Sequence, residues 1–125
     1  MAKILTVDDA VFMRKMLADI LIRDGHEIAG EGETAKEAVE LYEKLKPDII
    51  TLDIVMPEVD GINAIKAIRE IIAHNPGAGI LMVSAMGQQE TIIEAIQAGA
   101  KDFIVKPFQE SNITTAVKRI LKSGE

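Results

Sequence analysis

The sequence contains no cysteine and no tryptophan. Without cysteine there is no disulfide and no thiolate metal site, and a reducing compartment is permitted. Basic residues are not in excess: 14 Lys and Arg stand against 20 Asp and Glu, a formal charge of −6. Binding a phosphate backbone needs a basic surface, so no nucleic-acid partner is expected. No apolar run approaches the roughly 20 residues of a membrane span. The stretch Met1-Ala2-Lys3-Ile4-Leu5 runs into the acids Asp8 and Asp9, so no signal-peptide apolar region is expected. The expectation is a soluble, acidic, cytoplasmic protein. Its 125 residues, 48% apolar and 27% charged, suit one domain with a packed core. Such a chain is expected to pass its output to another molecule.

What is present is an alternation of short apolar runs with helical patterns. The runs are Ile4–Val7, Ile28-Ala29, Ile49–Leu52, Ile80–Val83 and Phe103–Val105. Four of them show no in/out alternation, as expected of strands buried on both faces of a parallel sheet. The Ile28 run, flanked by Glu27 and Glu31, suits an edge strand. Between the runs the apolar period becomes helical. The stripes are Met13, Met16, Leu17, Ile20, Leu21; then Ala35, Ala38, Val39, Tyr42; then Ile62, Ile65, Ile68, Ile72. Ile92, Ile93, Ile96 and Ile113, Val117, Ile120, Leu121 complete them. Gly25, Pro47, Asn75-Pro76-Gly77 and Gly99 are the expected stops, and all the stripes are expected to be core. Strands alternating with helices give an α/β fold, a five-stranded parallel sheet with helices on both faces. The expected strand order is 2-1-3-4-5, the flavodoxin-like arrangement, with ligands beyond the carboxyl ends of strands 1 and 3.

Those strand ends carry the chemistry. Strand 1 is followed by Asp8 and Asp9, strand 3 by Asp53, strand 4 by Ser84, and strand 5 by Lys106 and Pro107. Each alone has a structural reading: a helix cap, a turn, a loop hydroxyl, a solvated lysine. A parallel sheet places all of them along one edge. Three carboxylates drawn together raise one another's pKa, and a hard cation relieves them. Carboxylates, a backbone carbonyl and water are ligands that Mg²⁺ accepts. His26 and His74 lie away from that edge and are read as structural or surface residues, which makes zinc improbable. A cation beside an Asp, a Lys and a hydroxyl suits phosphoryl transfer, with one carboxylate as nucleophile. Asp53, alone on the central strand, is the best candidate.

Val7-Asp8-Asp9, Asp53-Ile54-Val55-Met56-Pro57 with Gly61, Val83-Ser84-Ala85 and Val105-Lys106-Pro107 together resemble the signature of a response-regulator receiver domain. The resemblance spans essentially the whole chain, one domain over residues 1–125. It implies a phosphoacceptor switch of a two-component system, not a turnover enzyme. Asp53 would take the phosphoryl group. Mg²⁺ would be held by the side chains of Asp9 and Asp53, by Asp8 through water, and by the Val55 backbone carbonyl. Ser84 and Lys106 would hold phosphoryl oxygens, the Lys106-Pro107 bond would be cis, and Ser84 and Phe103 would form the switch. The residues alone favour a core aromatic for Phe103. Asp9–Arg14, Ser84–Gln89 and Gly99–Gln109 further resemble the chemotaxis subgroup of Gram-positive and archaeal type. Expected partners are a histidine kinase, a motility switch or adaptor protein, and a phosphatase; the chain is expected to be a monomer.

Three other functions compete. A receiver could serve as a phosphorelay shuttle or developmental regulator outside chemotaxis. A haloacid-dehalogenase type of phosphatase wants a second acid two residues after its nucleophile, where Val55 stands. A flavodoxin-like electron carrier needs a first loop that cradles phosphate, but here that loop opens with two acids. The sequence also offers such a carrier no tryptophan and only Tyr42.

Overall fold

Ten elements alternate along the chain in the computed structural model, which describes residues 1–85 and 87–123. In chain order they are β1 (Lys3–Val7), α1 (Val11–Arg23), β2 (Glu27–Gly32), α2 (Ala35–Leu45), β3 (Ile49–Asp53), α3 (Ala64–His74), β4 (Gly79–Ala85), α4 (Gln89–Ala98), β5 (Asp102–Lys106) and α5 (Glu110–Ser123). The strands pair in parallel in the order β2-β1-β3-β4-β5, the order expected from the alternation. No helix among the described residues is long and apolar enough to cross a membrane.

Two apolar layers sandwich the sheet because successive strand side chains point to opposite faces. Leu5, Ile50, Leu52, Ile80 and Met82 meet Ala38 and Tyr42 of α2 and Ile68 and Ile71 of α3. Ile4, Ile49, Leu81 and Ile104 meet Leu17 and Leu21 of α1 and Ile113 and Val117 of α5. The helix stops act locally. Thr34 caps α2 by accepting from the Glu37 amide (3.1 Å), while Glu37 reaches back to the Glu33 amide (3.2 Å), a reciprocal cap. At Gly99 (φ 127°) a Cβ would come within 2.5 Å of Ile72, so only glycine both ends α4 and lets it close on α3.

Three expectations need correction. The third helix begins at Ala64 rather than Ile62, because Asn63 caps it by accepting from the Lys66 amide (2.9 Å). Ile62 instead pairs with Val59 in the preceding loop. The fourth stripe is not all core: α4 buries Ala95, while Ile93 is 57% and Ile96 41% exposed. And β5 is not buried on both faces: of its five residues only Ile104 is buried. Phe103 on it is 42% exposed and is no core aromatic.

Candidate functional site

The parallel register sets the carboxyl ends of β1, β3, β4 and β5 side by side. Val7 is level with Leu52, Asp53 with Val83, and Ala85 with Lys106. Asp53, Ser84 and Lys106 are therefore the last residues of their strands or nearly so, rather than the first residues beyond them. Asp8 follows β1 directly.

Backbone amides orient both inner carboxylates. Asp8 Oδ1 accepts from the Ala10 amide (2.9 Å), and its own N–H donates to the Gly32 carbonyl (3.1 Å). Asp53 Oδ1 accepts from the Val55 amide (3.1 Å). Their second oxygens face one cation: Lys106 Nζ lies 3.5 Å from Asp8 Oδ2 and 3.4 Å from Asp53 Oδ2. Asp8 and Asp53 are buried, whereas Asp9 is exposed at the rim. Carboxylate oxygens of the three acids all lie within 4.8 Å of one another, and no other such group occurs among the described residues. One ammonium against three carboxylates leaves a net negative crevice of oxygen donors, the donor set that a hard divalent cation takes.

The electrostatics differ in emphasis from the sequence expectation. Burial is the main force holding the Asp53 carboxyl above its ordinary value. The Val55 amide opposes it, the charge of Asp8 adds to it, and Lys106 pulls the other way. Desolvation thus outweighs carboxylate repulsion. Ser84 is fully buried, and its Oγ finds no hydrogen-bond partner among the described residues. The Thr6 and Thr51 hydroxyls share that state within the sheet; Ser84 differs in standing at the carboxyl end of β4, beside β3 and Asp53, where an arriving group could take its hydrogen bond. The Lys106-Pro107 bond is cis.

The remaining expected residues lie outside this crevice. His26 fastens β1, its Nδ1 accepting from the Ala2 amide (3.0 Å), and His74 pairs with Glu43 between α3 and α2. Phe103 lines an apolar groove with Ile92, Ile93 and Ile96 of α4. Met86 lies outside the described residues.

Sequence reasoning passed over Arg14. It is buried, and its Nη1 donates to the Asp8 carbonyl (2.6 Å). The signal was available: Arg14, Leu17 and Leu21 share one helical face, so a charged side chain stands in an apolar stripe.

Residues 4–118 match the response regulator receiver domain family. The chain is 57% identical to the chemotaxis protein CheY of Thermotoga maritima over 120 residues, 96% of this chain and 98% of that protein. It is 54% identical to the chemotaxis protein CheY of Bacillus subtilis over 119 residues, 95% of this chain and 97% of the other. The crystal structure of the receiver domain of NtrX from Brucella abortus superposes with a TM-score of 0.87 at 32% identity, covering 97% of this chain and 99% of that one.

Proposed function

From the premise that the chain belongs to the response regulator receiver domain family, and closely matches CheY, we propose that Asp53 accepts a phosphoryl group from a histidine kinase. The phosphorylated chain then changes its binding to a chemotaxis or motility target. The observation that supports this most is Asp53 itself, a buried carboxylate at the switch point of the sheet. One of its oxygens is 3.4 Å from Lys106 Nζ, and a second acid shares that ammonium.

In the step, a carboxylate oxygen of Asp53 forms a bond to phosphorus. The bond from phosphorus to the donor's imidazole nitrogen breaks, and that nitrogen keeps the electron pair and takes up a proton. Receiver domains bind Mg²⁺ at an acidic pocket, and the oxygen donors here fit it. Asp9 and Asp53 would hold the ion by side chain, Val55 by its carbonyl and Asp8 through water. When bound, the ion supplies positive charge against the phosphoryl oxygens. Lys106 holds one phosphoryl oxygen through its ammonium, exchanging a carboxylate partner for it. Ser84 donates its free hydroxyl to another.

The same donation makes the switch. Drawing Ser84 toward the phosphoryl group moves Ala85 and Gly87, and space opens beside β5 into which Phe103 turns. The groove of Phe103, Ile93 and Ile96 changes shape, and the partner reads that change. A tenfold change in partner affinity needs only about 1.4 kcal/mol of difference between the two states.

The test is incubation with a small acyl phosphate and Mg²⁺, followed by intact mass. One added phosphoryl group is expected on the wild type and none on Asp53→Asn. A chelator should abolish the addition.

A further inference from the structure

Arg14 stands outside every role assigned so far. Its guanidinium is among the few buried charges of the described residues, and three oxygens surround it. Nη1 donates to the Asp8 carbonyl (2.6 Å), Nε donates to Glu31 Oε1 (3.0 Å), and Nη2 lies 3.6 Å from Glu33 Oε1. A planar fork held at several points cannot swing, which distinguishes it from a lysine at the same place. Glu31 lies in the edge strand β2 and Glu33 just beyond it. The fork therefore braces the end of β2 against the turn that follows β1.

The bond to Asp8 matters because of which atom it takes. The Asp8 carbonyl and the Asp9 N–H belong to one rigid peptide plane. The two side-chain ends of Asp8 are already engaged: Oδ1 by the Ala10 amide and Oδ2 near Lys106. Its N–H is tied to Gly32. The carbonyl is a handle on the plane that directs Asp9, and Arg14 grips it. Asp9 is the exposed member of the acid cluster, and among the described residues no side-chain hydrogen bond holds it.

We propose that Arg14, anchored by Glu31, is a positioning residue that sets the Asp8–Asp9 peptide, so that the three carboxylates stand ready for a divalent cation. Arg14 touches neither the cation nor the phosphoryl group. It acts through the backbone, and its anchor extends cation affinity to the acids at the end of β2. This rests on the reading of the acid cluster as a Mg²⁺ site.

The experiment is a Mg²⁺ titration followed by amide NMR on wild type, Arg14→Met, Arg14→Lys and Glu31→Ala, with acyl phosphate labelling at saturating Mg²⁺ alongside. Arg14→Met is expected to raise the Mg²⁺ dissociation constant about tenfold, and Glu31→Ala severalfold. Arg14→Lys keeps the charge and loses the fork, and falls between wild type and Arg14→Met. Labelling at saturating Mg²⁺ recovers to near the wild-type rate in all three. In chelator, exchange of the Asp9 and Ala10 amides speeds up in Arg14→Met and Glu31→Ala, a readout independent of any cation. Glu31 is half exposed, so its variant carries the test should Arg14→Met not fold. Folded variants that bind Mg²⁺ with wild-type affinity, and keep wild-type exchange at Asp9 and Ala10, overturn the proposal. A wild type that binds no Mg²⁺ overturns the reading beneath it.

Discussion

Asp53 and Lys106 meet carboxylate to ammonium at 3.4 Å, although 53 residues separate them in the chain. The ammonium does not dominate the pair. Burial holds the Asp53 carboxyl above its ordinary value despite the cation beside it, with the charge of Asp8 working in the same direction. The folded protein carries an ionised group that it does not favour. That is a poor contribution to stability; for the proposed nucleophile it is a good one to reactivity, because a desolvated carboxylate is a better nucleophile.

Asp53→Asn in chelator is therefore expected to melt above the wild type, by roughly 2–5 °C. The substitution keeps the shape and removes the buried charge. Excess Mg²⁺ reverses the order, since it stabilises only the protein whose carboxylates can hold it. Paired thermal melts check both halves. A lower midpoint for Asp53→Asn in chelator means that the Lys106 pairing outweighs burial.

The same imbalance has a pH dependence. Without metal, the folded Asp53 value lies above the ordinary 3.8. Between the two values the folded state binds more protons than the unfolded chain, so stability contributed at this position falls as pH rises through that window. The loss is complete above the folded value. Asparagine does not titrate there. The stability advantage of Asp53→Asn in chelator should thus be small near pH 3.8 and widen with rising pH. Denaturant unfolding of both proteins across that range measures the gap, and a gap that narrows with rising pH reverses the sign argued here.

Ser84→Ala removes a buried hydroxyl that has no partner among the described residues, so the unmodified protein is expected to keep or slightly gain stability. The loss shows only after phosphorylation. A hydrogen bond to a charged oxygen is worth about 1.5–3 kcal/mol, and without it the phosphorylated variant couples poorly to α4 and β5. NMR shifts with and without a phosphate mimic check this. Full wild-type shifts across α4 and β5 in Ser84→Ala contradict a switch that runs through Ser84.

Much of this was legible in the sequence, and for a physical reason. In a parallel sheet, the residue after each apolar run has a fixed place along one edge, so Asp8, Asp53, Ser84 and Lys106 could be gathered from order alone. Phe103 could not be placed that way. Its run looks as apolar as the others, and its exposure depends on how little of that face α4 covers, which only the packed structure shows. Ile93 and Ile96 misled for a similar reason: helical period marks an apolar face, not whether anything covers it. Arg14 was hidden by its type, since an arginine in a helix is ordinarily read as solvated. The weight of burial at Asp53 also escaped, because repulsion follows from a list of charges, whereas desolvation requires knowing how deep the carboxylate lies.

The positions two residues beyond Asp53 and Ser84 bear on how long the phosphoryl group lasts. Val55 has an exposed apolar side chain, and Met86 is apolar as well. Neither side chain can orient an attacking water, so slow self-dephosphorylation is expected. Val55→Asn combined with Met86→Gln should shorten the lifetime severalfold. Decay of the phosphorylated form, followed by intact mass after donor removal, checks it. Decay at the wild-type rate means that water positioning there does not limit the reaction.

Asp53 is proposed as the phosphoacceptor, served through a divalent cation by the acid cluster. Intact mass after incubation with a small acyl phosphate tests it most directly, on wild type and Asp53→Asn, each with Mg²⁺ and with chelator. One phosphoryl group on the wild type with Mg²⁺, and none in the other three samples, is the predicted result. Equal labelling of Asp53→Asn, or labelling of the wild type that ignores the chelator, would contradict it.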